Sequence, residues 1–339
     1  MGYKAEKDKV EKKFKSLKVV LFCILSFFVL ALCVFSFYIP PNTWKYYVKL
    51  PNVCKRGAGE LRIHYIDVGQ GDATLIEFPD GQVMLIDGGD GGGKAKKSLL
   101  RYMNALKIDE IDYLILTHAD GDHYGGLKEV LSHKTVFNAY LPPSFPENDT
   151  KYAELYAALV KSDCRMIYSS RTVPPVTPRD AEYPYTVKFL FPHQYTVEGI
   201  LSGEIVEADD NALSSVLWLD YNGASALFMG DAPSSVEELM RKEDGVGAFA
   251  AMNVSLSSTE ILKLSHHGSA TATSQEFLRF LGVKEGIVSC GKDNAYGHPA
   301  KETLARLDLA GVNVHRTDLN GHIMATISQG GSYQVSYVD

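Results

Sequence analysis

Cysteine is scarce in this chain, five among 339 residues, and no Cys-x-x-Cys pair occurs. Cys23 and Cys33 lie inside an apolar run, and Cys54, Cys164 and Cys290 are far apart, so neither a zinc ribbon nor a disulfide framework is indicated. One disulfide among the outer three stays open. No long basic run occurs after residue 18. The first eighteen residues carry seven Lys against three acidic residues, +4, which leaves −11 on the remainder of a chain whose formal charge is −7. Tight non-specific nucleic-acid binding rests on Lys and Arg at phosphates, so composition lends it no support here. No Gly-Lys-Ser/Thr follows any glycine cluster, which excludes a nucleotide P-loop. The 29 Gly and 14 Pro show no period, which excludes collagen-like and solenoid architectures.

Charge is also missing from residues 19–39, VVLFCILSFFVLALCVFSFYI. At ~1.5 Å rise per residue this run covers a hydrocarbon core of ~30 Å. It predicts a transmembrane anchor. The alternative is a cleaved signal peptide, but the run is longer than such apolar regions and Phe-Tyr-Ile-Pro-Pro lacks a small-x-small site. A lipoprotein reading at Cys33 fails because the apolar run continues past it. The Lys-rich tail of residues 1–18 predicts a cytoplasmic N-terminus and a single-pass protein of the cell membrane with residues 40–339 outside.

Residues 40–58 contain Pro40-Pro41, Asn42, Pro51-Asn52 and Gly57, linker chemistry, so the folded domain is expected over 59–339. Within it, apolar patterning predicts strands over 61–68, 73–78, 82–87 and 113–117, with a helix over 94–106. Asn222-Gly223 between the runs 215–220 and 224–229 reads as a hairpin. Helical patterns occur at 151–161, 234–242, 275–281 and 301–309, and a final strand pair at 321–338. This mixture means an α/β or α+β domain with covered sheets. Residues 142–185, bracketed by prolines, predict a surface excursion or lid, or an ordinary loop.

The string Leu116-Thr117-His118-Ala119-Asp120-Gly121-Asp122-His123-Tyr124-Gly125-Gly126 follows a predicted strand. Four potential ligands leave one strand end together, because a sharp Gly-containing loop converges imidazole and carboxylate side chains that suit divalent metals. With Asp67-Val68-Gly69-Gln70-Gly71-Asp72, Leu85-Ile86-Asp87-Gly88-Gly89, Phe228-Met229-Gly230-Asp231, Leu264-Ser265-His266-His267-Gly268-Ser269 and Tyr296-Gly297-His298-Pro299, it resembles the metallo-β-lactamase superfamily. The closer resemblance is to the C-terminal domains of ComEC-type competence DNA-uptake proteins, in which the second His of the signature is commonly Asp, as Asp120 is here. It runs from about residue 63 to 321. One span does not build the multi-span channel of those proteins.

The resemblance implies an αββα sandwich, preceded here by one transmembrane helix, that holds two divalent ions, zinc or manganese, with magnesium also open. His118 and Asp120 would hold the first ion, Asp122 and His123 would contribute to the second, and Asp231 would bridge them. His266 is favoured over His267 to complete the second site, although sequence does not separate the two. Asp87 would lie beneath the cluster and orient a ligand; alternatively it caps a loop. Where many members place another His, this chain has Asp210-Asn211-Ala212-Leu213-Ser214-Ser215, and Asn211 is at best a weak oxygen ligand. An oxygen-rich first site shifts preference toward manganese or magnesium. His267 or His298 would protonate a leaving oxygen, with Asp122 also at the reacting centre. Asn211, Ser214 and Ser269 would meet phosphate oxygens or close turns. Asp67 and Asp72 fit turn or supporting roles equally. The implied activity is metal-dependent hydrolysis by a ComEC-like nuclease or phosphodiesterase, with DNA or another phosphodiester as partner and no protein partner evident. The alternatives are hydrolysis of a lactone, thioester or phosphocholine ester, which the acidic body favours, and a catalytically silent binding module.

Overall fold

A computed structural model describes residues 2–38, 40–146, 148–205 and 209–339. Ile39 at the end of the apolar run and Glu147 within the segment 142–185 lie outside the described residues. The chain divides into two compact units at Lys49/Leu50.

In the first unit, Gly2–Tyr38 is one continuous helix. Its stretch Lys9–Tyr38 is long and apolar enough to cross a membrane, and none of that stretch is buried by the protein. Leu, Phe and Val side chains therefore face outward all round, as a helix solvated by lipid requires.

The second unit is built on fourteen strands: β1 (Leu61–Tyr65), β2 (Thr74–Glu77), β3 (Val83–Ile86), β4 (Glu110–Ile115), β5 (Thr135–Leu141), β6 (Arg165–Tyr168), β7 (Tyr185–Phe191), β8 (Val216–Tyr221), β9 (Ala224–Phe228), β10 (Ile261–Lys263), β11 (Glu285–Val288), β12 (Asn313–Arg316), β13 (His322–Ile327) and β14 (Tyr333–Val338). They form an eight-stranded sheet in the order β14-β13-β1-β2-β3-β4-β5-β6 and a six-stranded sheet in the order β12-β11-β10-β9-β8-β7. Alternate residues of both sheets, among them Ile63, Ile76, Ile115, Phe189, Leu217, Phe228, Ile261 and Ile323, interlock in one core. A second core buries the outer face of the six-stranded sheet under the helices Ser234–Gly245, Gln275–Leu281 and Lys301–Ala310. On the other flank, the helix Gly93–Ala105 buries Leu99, Leu100, Tyr102 and Met103, and the Tyr102 hydroxyl meets His64 Nδ1 of β1 at 2.9 Å. Helices thus cover both sheets, and the architecture is the expected αββα sandwich.

Pairing is parallel from β3 to β6 and from β9 to β12 and antiparallel elsewhere. Strands β3, β4, β9 and β10 therefore deliver the loops that follow them to one end of the sandwich. Ligands bind α/β folds at such carboxyl strand ends.

Several expectations change. Residues 50–58 are fastened to the body: Asn52 N–H donates to Asp339 O at 2.9 Å, and Arg62 Nη1 donates to Cys54 O at 2.7 Å. The segment 142–185 carries the expected helix and is tied to both sheets. It supplies β6 and the helix Thr150–Lys161, and buried Val176 bridges Val187 of β7. Strands β5, β6, β7, β11 and β12 and the helix Gln194–Ser202 were not expected; β11, for example, buries Gly286, Ile287 and Val288 in succession and offers no alternation to read.

Candidate metal centre

Asp87 leaves β3 in the left-handed region at φ +60°, a conformation that Asp tolerates better than most side chains. Its carboxylate accepts from Thr117 N–H (2.8 Å), Thr117 Oγ1 (2.7 Å) and His123 Nδ1 (2.8 Å). The ring of His123 is thereby fixed with Nε2 free. A Cβ on Gly71 would lie 2.0 Å from Asp122 O, and one on Gly126 would lie 2.1 Å from Gly88 O, so glycine permits the close loop packing that brings the motifs together.

The turn after β10 carries three successive residues at positive φ, His266 (+49°), His267 (+53°) and Gly268 (+80°). Non-glycine residues adopt this geometry at a cost and persist in it where the surrounding structure enforces it. The turn sends His267 inward, buried, while the His266 side chain stays 29% exposed. His267 Nδ1 lies 2.9 Å from Ser289 O, as a donor, which leaves its Nε2 free as well.

The two free nitrogens face each other. His123 Nε2 lies 3.3 Å from His267 Nε2, and with both Nδ1 atoms donating, the two nitrogens approach this closely with a proton or a metal ion between them. That separation matches two nitrogens bound tetrahedrally to one ion at about 2.0–2.1 Å each. Asp122 Oδ2 is 3.1 Å from His267 Nε2, Asp231 Oδ1 is 3.3 Å from His123 Nε2, and Asp231 Oδ2 is 3.5 Å from His267 Nε2. Asp231 Oδ2 also lies 3.9 Å from His118 Nε2 and 3.7 Å from His266 Nε2, and Asp120 Oδ2 is 3.6 Å from His118 Nε2. His118 Nε2, Asp231 Oδ1, Asp72 Oδ1 and Asn211 Oδ1 are buried without a hydrogen-bond partner. The orphaned atoms of His118, Asp231 and Asp72, which belong to this cluster, fit divalent ions.

Charge agrees with geometry. Burial opposes charging of His267, yet Asp231, Asp72 and Asp122 push its pKa up to about 10. His123 is raised in the same way by Asp231 and Asp87 against its burial, and Asp231 is held well below the carboxylate range by His123 and His267 despite its own burial. The carboxylates call for positive charge at this point.

The structure groups Asp72, His123, Asp231 and His267 as side chains able to hold one ion. His118, Asp120 and Asp122 stand beside them. His266, favoured from sequence, is half-buried at the rim with Nε2 3.7 Å from Asp231 Oδ2, and the His267 side chain takes the buried inner position. Asp72, which sequence left between two roles, is at the centre. Lys263, not singled out, pairs with it at 2.6 Å; a charged residue inside the apolar run Ile261–Lys263 was the signal available. Asn211 sits in a turn held at the site by Ser214 Oγ, which accepts from Asp231 N–H at 3.0 Å, and by Ser215 N–H, which donates to Thr117 O at 2.9 Å. Ser269 Oγ lies 3.0 Å from Thr271 Oγ1, closing a turn. The His298 ring stands 5.5 Å from His266 and 6.2 Å from His267.

The sequence profile of the metallo-β-lactamase superfamily matches residues 66–292. ComE operon protein 3 of Bacillus subtilis (strain 168) is 30% identical over 287 residues, 80% of this chain and 33% of that protein. Competence protein ComA of Neisseria gonorrhoeae is 27% identical over 274 residues, 80% of this chain and 33% of that protein. Recombination protein 2 of Haemophilus influenzae is 27% identical over 272 residues, 79% of this chain and 29% of that protein. The chain thus spans about a third of the length of these relatives. With the profile match over most of the second unit and a group of side chains able to hold an ion at its strand ends, the chain belongs to the metallo-β-lactamase superfamily, whose members are generally hydrolases that bind divalent metals.

Proposed function

We propose that this protein is a membrane-anchored, metal-dependent phosphodiesterase that cleaves nucleic acid outside the cytoplasm. The observation that carries the reading is the facing pair His123 Nε2 and His267 Nε2, 3.3 Å apart, with Asp231 reaching toward both this pair and His118. The likeness to competence proteins supports a nucleic-acid substrate. His123, His267, Asp122 and Asp72 or Asp231 would hold one ion, and His118, Asp120, Asp231 and Asn211 a second. Bound divalent ions supply Lewis-acid polarisation and an activated water at neutral pH.

Hydrolysis forms one P–O bond to water and breaks another, and the leaving oxygen needs a proton. With His267 turned into the cluster, His298 and His266 are the imidazoles at the rim that serve this need. Burial and the neighbouring His267 and His266 lower the pKa of His298, which makes its protonated imidazole a stronger acid toward a leaving oxygen. Asp87 holds His123 in the required tautomer, and Ser289 O does the same for His267. The long apolar helix would tether the unit, and the Lys-rich tail favours a cytoplasmic N-terminus.

The acidic body favours a second reading, hydrolysis of a non-nucleic ester. The test is degradation of single- and double-stranded DNA by the full chain in detergent with manganese, beside a His118→Ala/Asp122→Ala control. Metal-dependent cleavage lost in the control supports the nuclease. Absence of cleavage by folded, metal-loaded protein that turns over short esters would replace it with the second reading.

A further inference from the structure

We propose that Tyr296 is a stacking platform for a base of single-stranded nucleic acid beside the metal centre. This rests on the phosphodiesterase reading and names the form of substrate that it takes. The Tyr296 side chain is 69% exposed. Its ring stacks on His298 with centroids 5.7 Å apart and planes 21° from parallel, and His298 in turn stacks toward His267 at 6.2 Å and 27°. One face of the tyrosine is thus against His298 and the other is open. A column of three rings leads from solvent to the cluster.

The platform is held in place. Asn294 Oδ1 accepts from Tyr296 N–H (3.2 Å) and His298 N–H (3.0 Å), while its Nδ2 donates to Gly291 O (2.9 Å) and His298 O (2.6 Å). Ala300 N–H donates to Gly268 O at 2.9 Å, tying the end of this loop to the histidine turn. Gly297, at φ +72°, has nothing near its Cβ position, so the tip is free of neighbours.

An open aromatic face on a braced loop suits a flat ring, and every nucleobase offers one. A base inside a duplex has both faces covered by its neighbours, whereas one in a single strand is free to stack on protein. The body is acidic, so a base-dependent contact supplies grip that phosphate attraction does not.

The experiment compares wild type, Tyr296→Ala and Tyr296→Phe as metal-loaded full chain in detergent. Fluorescence anisotropy is read on a short oligothymidylate with uncleavable phosphorothioate linkages and on the same backbone without bases. The expected result is a roughly ten- to hundred-fold weaker Kd for Tyr296→Ala on the base-bearing strand. Tyr296→Phe should bind as wild type, and all three should bind the abasic strand alike. On a cleavable strand, Tyr296→Ala should raise KM and keep kcat. If Tyr296→Ala binds both strands as wild type does while cleavage persists, the platform is overturned and the phosphodiesterase stands. If wild type neither binds nor cleaves any strand, both fall.

Discussion

Lys263 Nζ lies 2.6 Å from Asp72 Oδ2 with both side chains buried, and Asp72 Oδ1 is 3.2 Å from His267 Nδ1. A cation of the protein's own therefore stands directly behind the candidate metal centre. Removing one partner of a buried pair strands the other charge, at a cost of about 3–5 kcal/mol. Lys263→Ala should lose stability on that scale in denaturant unfolding under chelator, and Asp72→Ala/Lys263→Ala should recover part of it. A single-variant loss below about 1 kcal/mol, the range of exposed pairs, would show that the pair holds nothing together.

His267 and His266 are expected to separate cleanly in metal content. His267→Ala should lower the zinc or manganese retained per chain after desalting, measured by atomic emission, while His266→Ala keeps it. The reverse pattern would move the inner ligand to the exposed histidine. In wild-type protein, an ion at about 100 times its Kd adds about 2.7 kcal/mol, so chelation should lower Tm.

Asp87 acts through His123. Asn fits the same space and tolerates φ +60°, so Asp87→Asn isolates the charge that His123 Nδ1 donates to. The expected outcome is a roughly 10- to 100-fold loss of metal affinity, read by competition with a chromogenic chelator. Unchanged affinity would reduce Asp87 to a loop cap.

His322 supplies a pH dependence away from the cluster. Its Nδ1 accepts from Asp67 N–H at 3.1 Å, and burial pushes its pKa down to about 4 from an ordinary 6.5. Between those values the unfolded chain binds more protons than the folded one. The stabilisation is therefore complete above about pH 6.5 and is lost as pH falls toward 4. The difference in unfolding free energy between wild type and His322→Asn should shrink by about 2–3 kcal/mol across that window. A difference that does not vary with pH would contradict it.

What the sequence by itself determined was whatever is written in adjacent residues. The uncharged run within the helix Gly2–Tyr38, the Asn222-Gly223 hairpin and the ligand-rich string from His118 to His123 each follow from local pattern or turn chemistry. The hairpin strands appear within a residue or two of the expected ranges, while the helix extends the expected span back through the Lys-rich tail to Gly2. Tertiary structure alone decided which of two adjacent histidines is buried beside Asp231 and which stays half-buried, because both lie at positive φ, where the usual facing of neighbours no longer applies. It also decided that Asp72 and Lys263 meet, since they come from different sheets and touch only when the two are packed together. Strand β11 stayed illegible for the same reason: Gly286, Ile287 and Val288 are buried in succession, and burial on both sides erases the alternation that marks a strand.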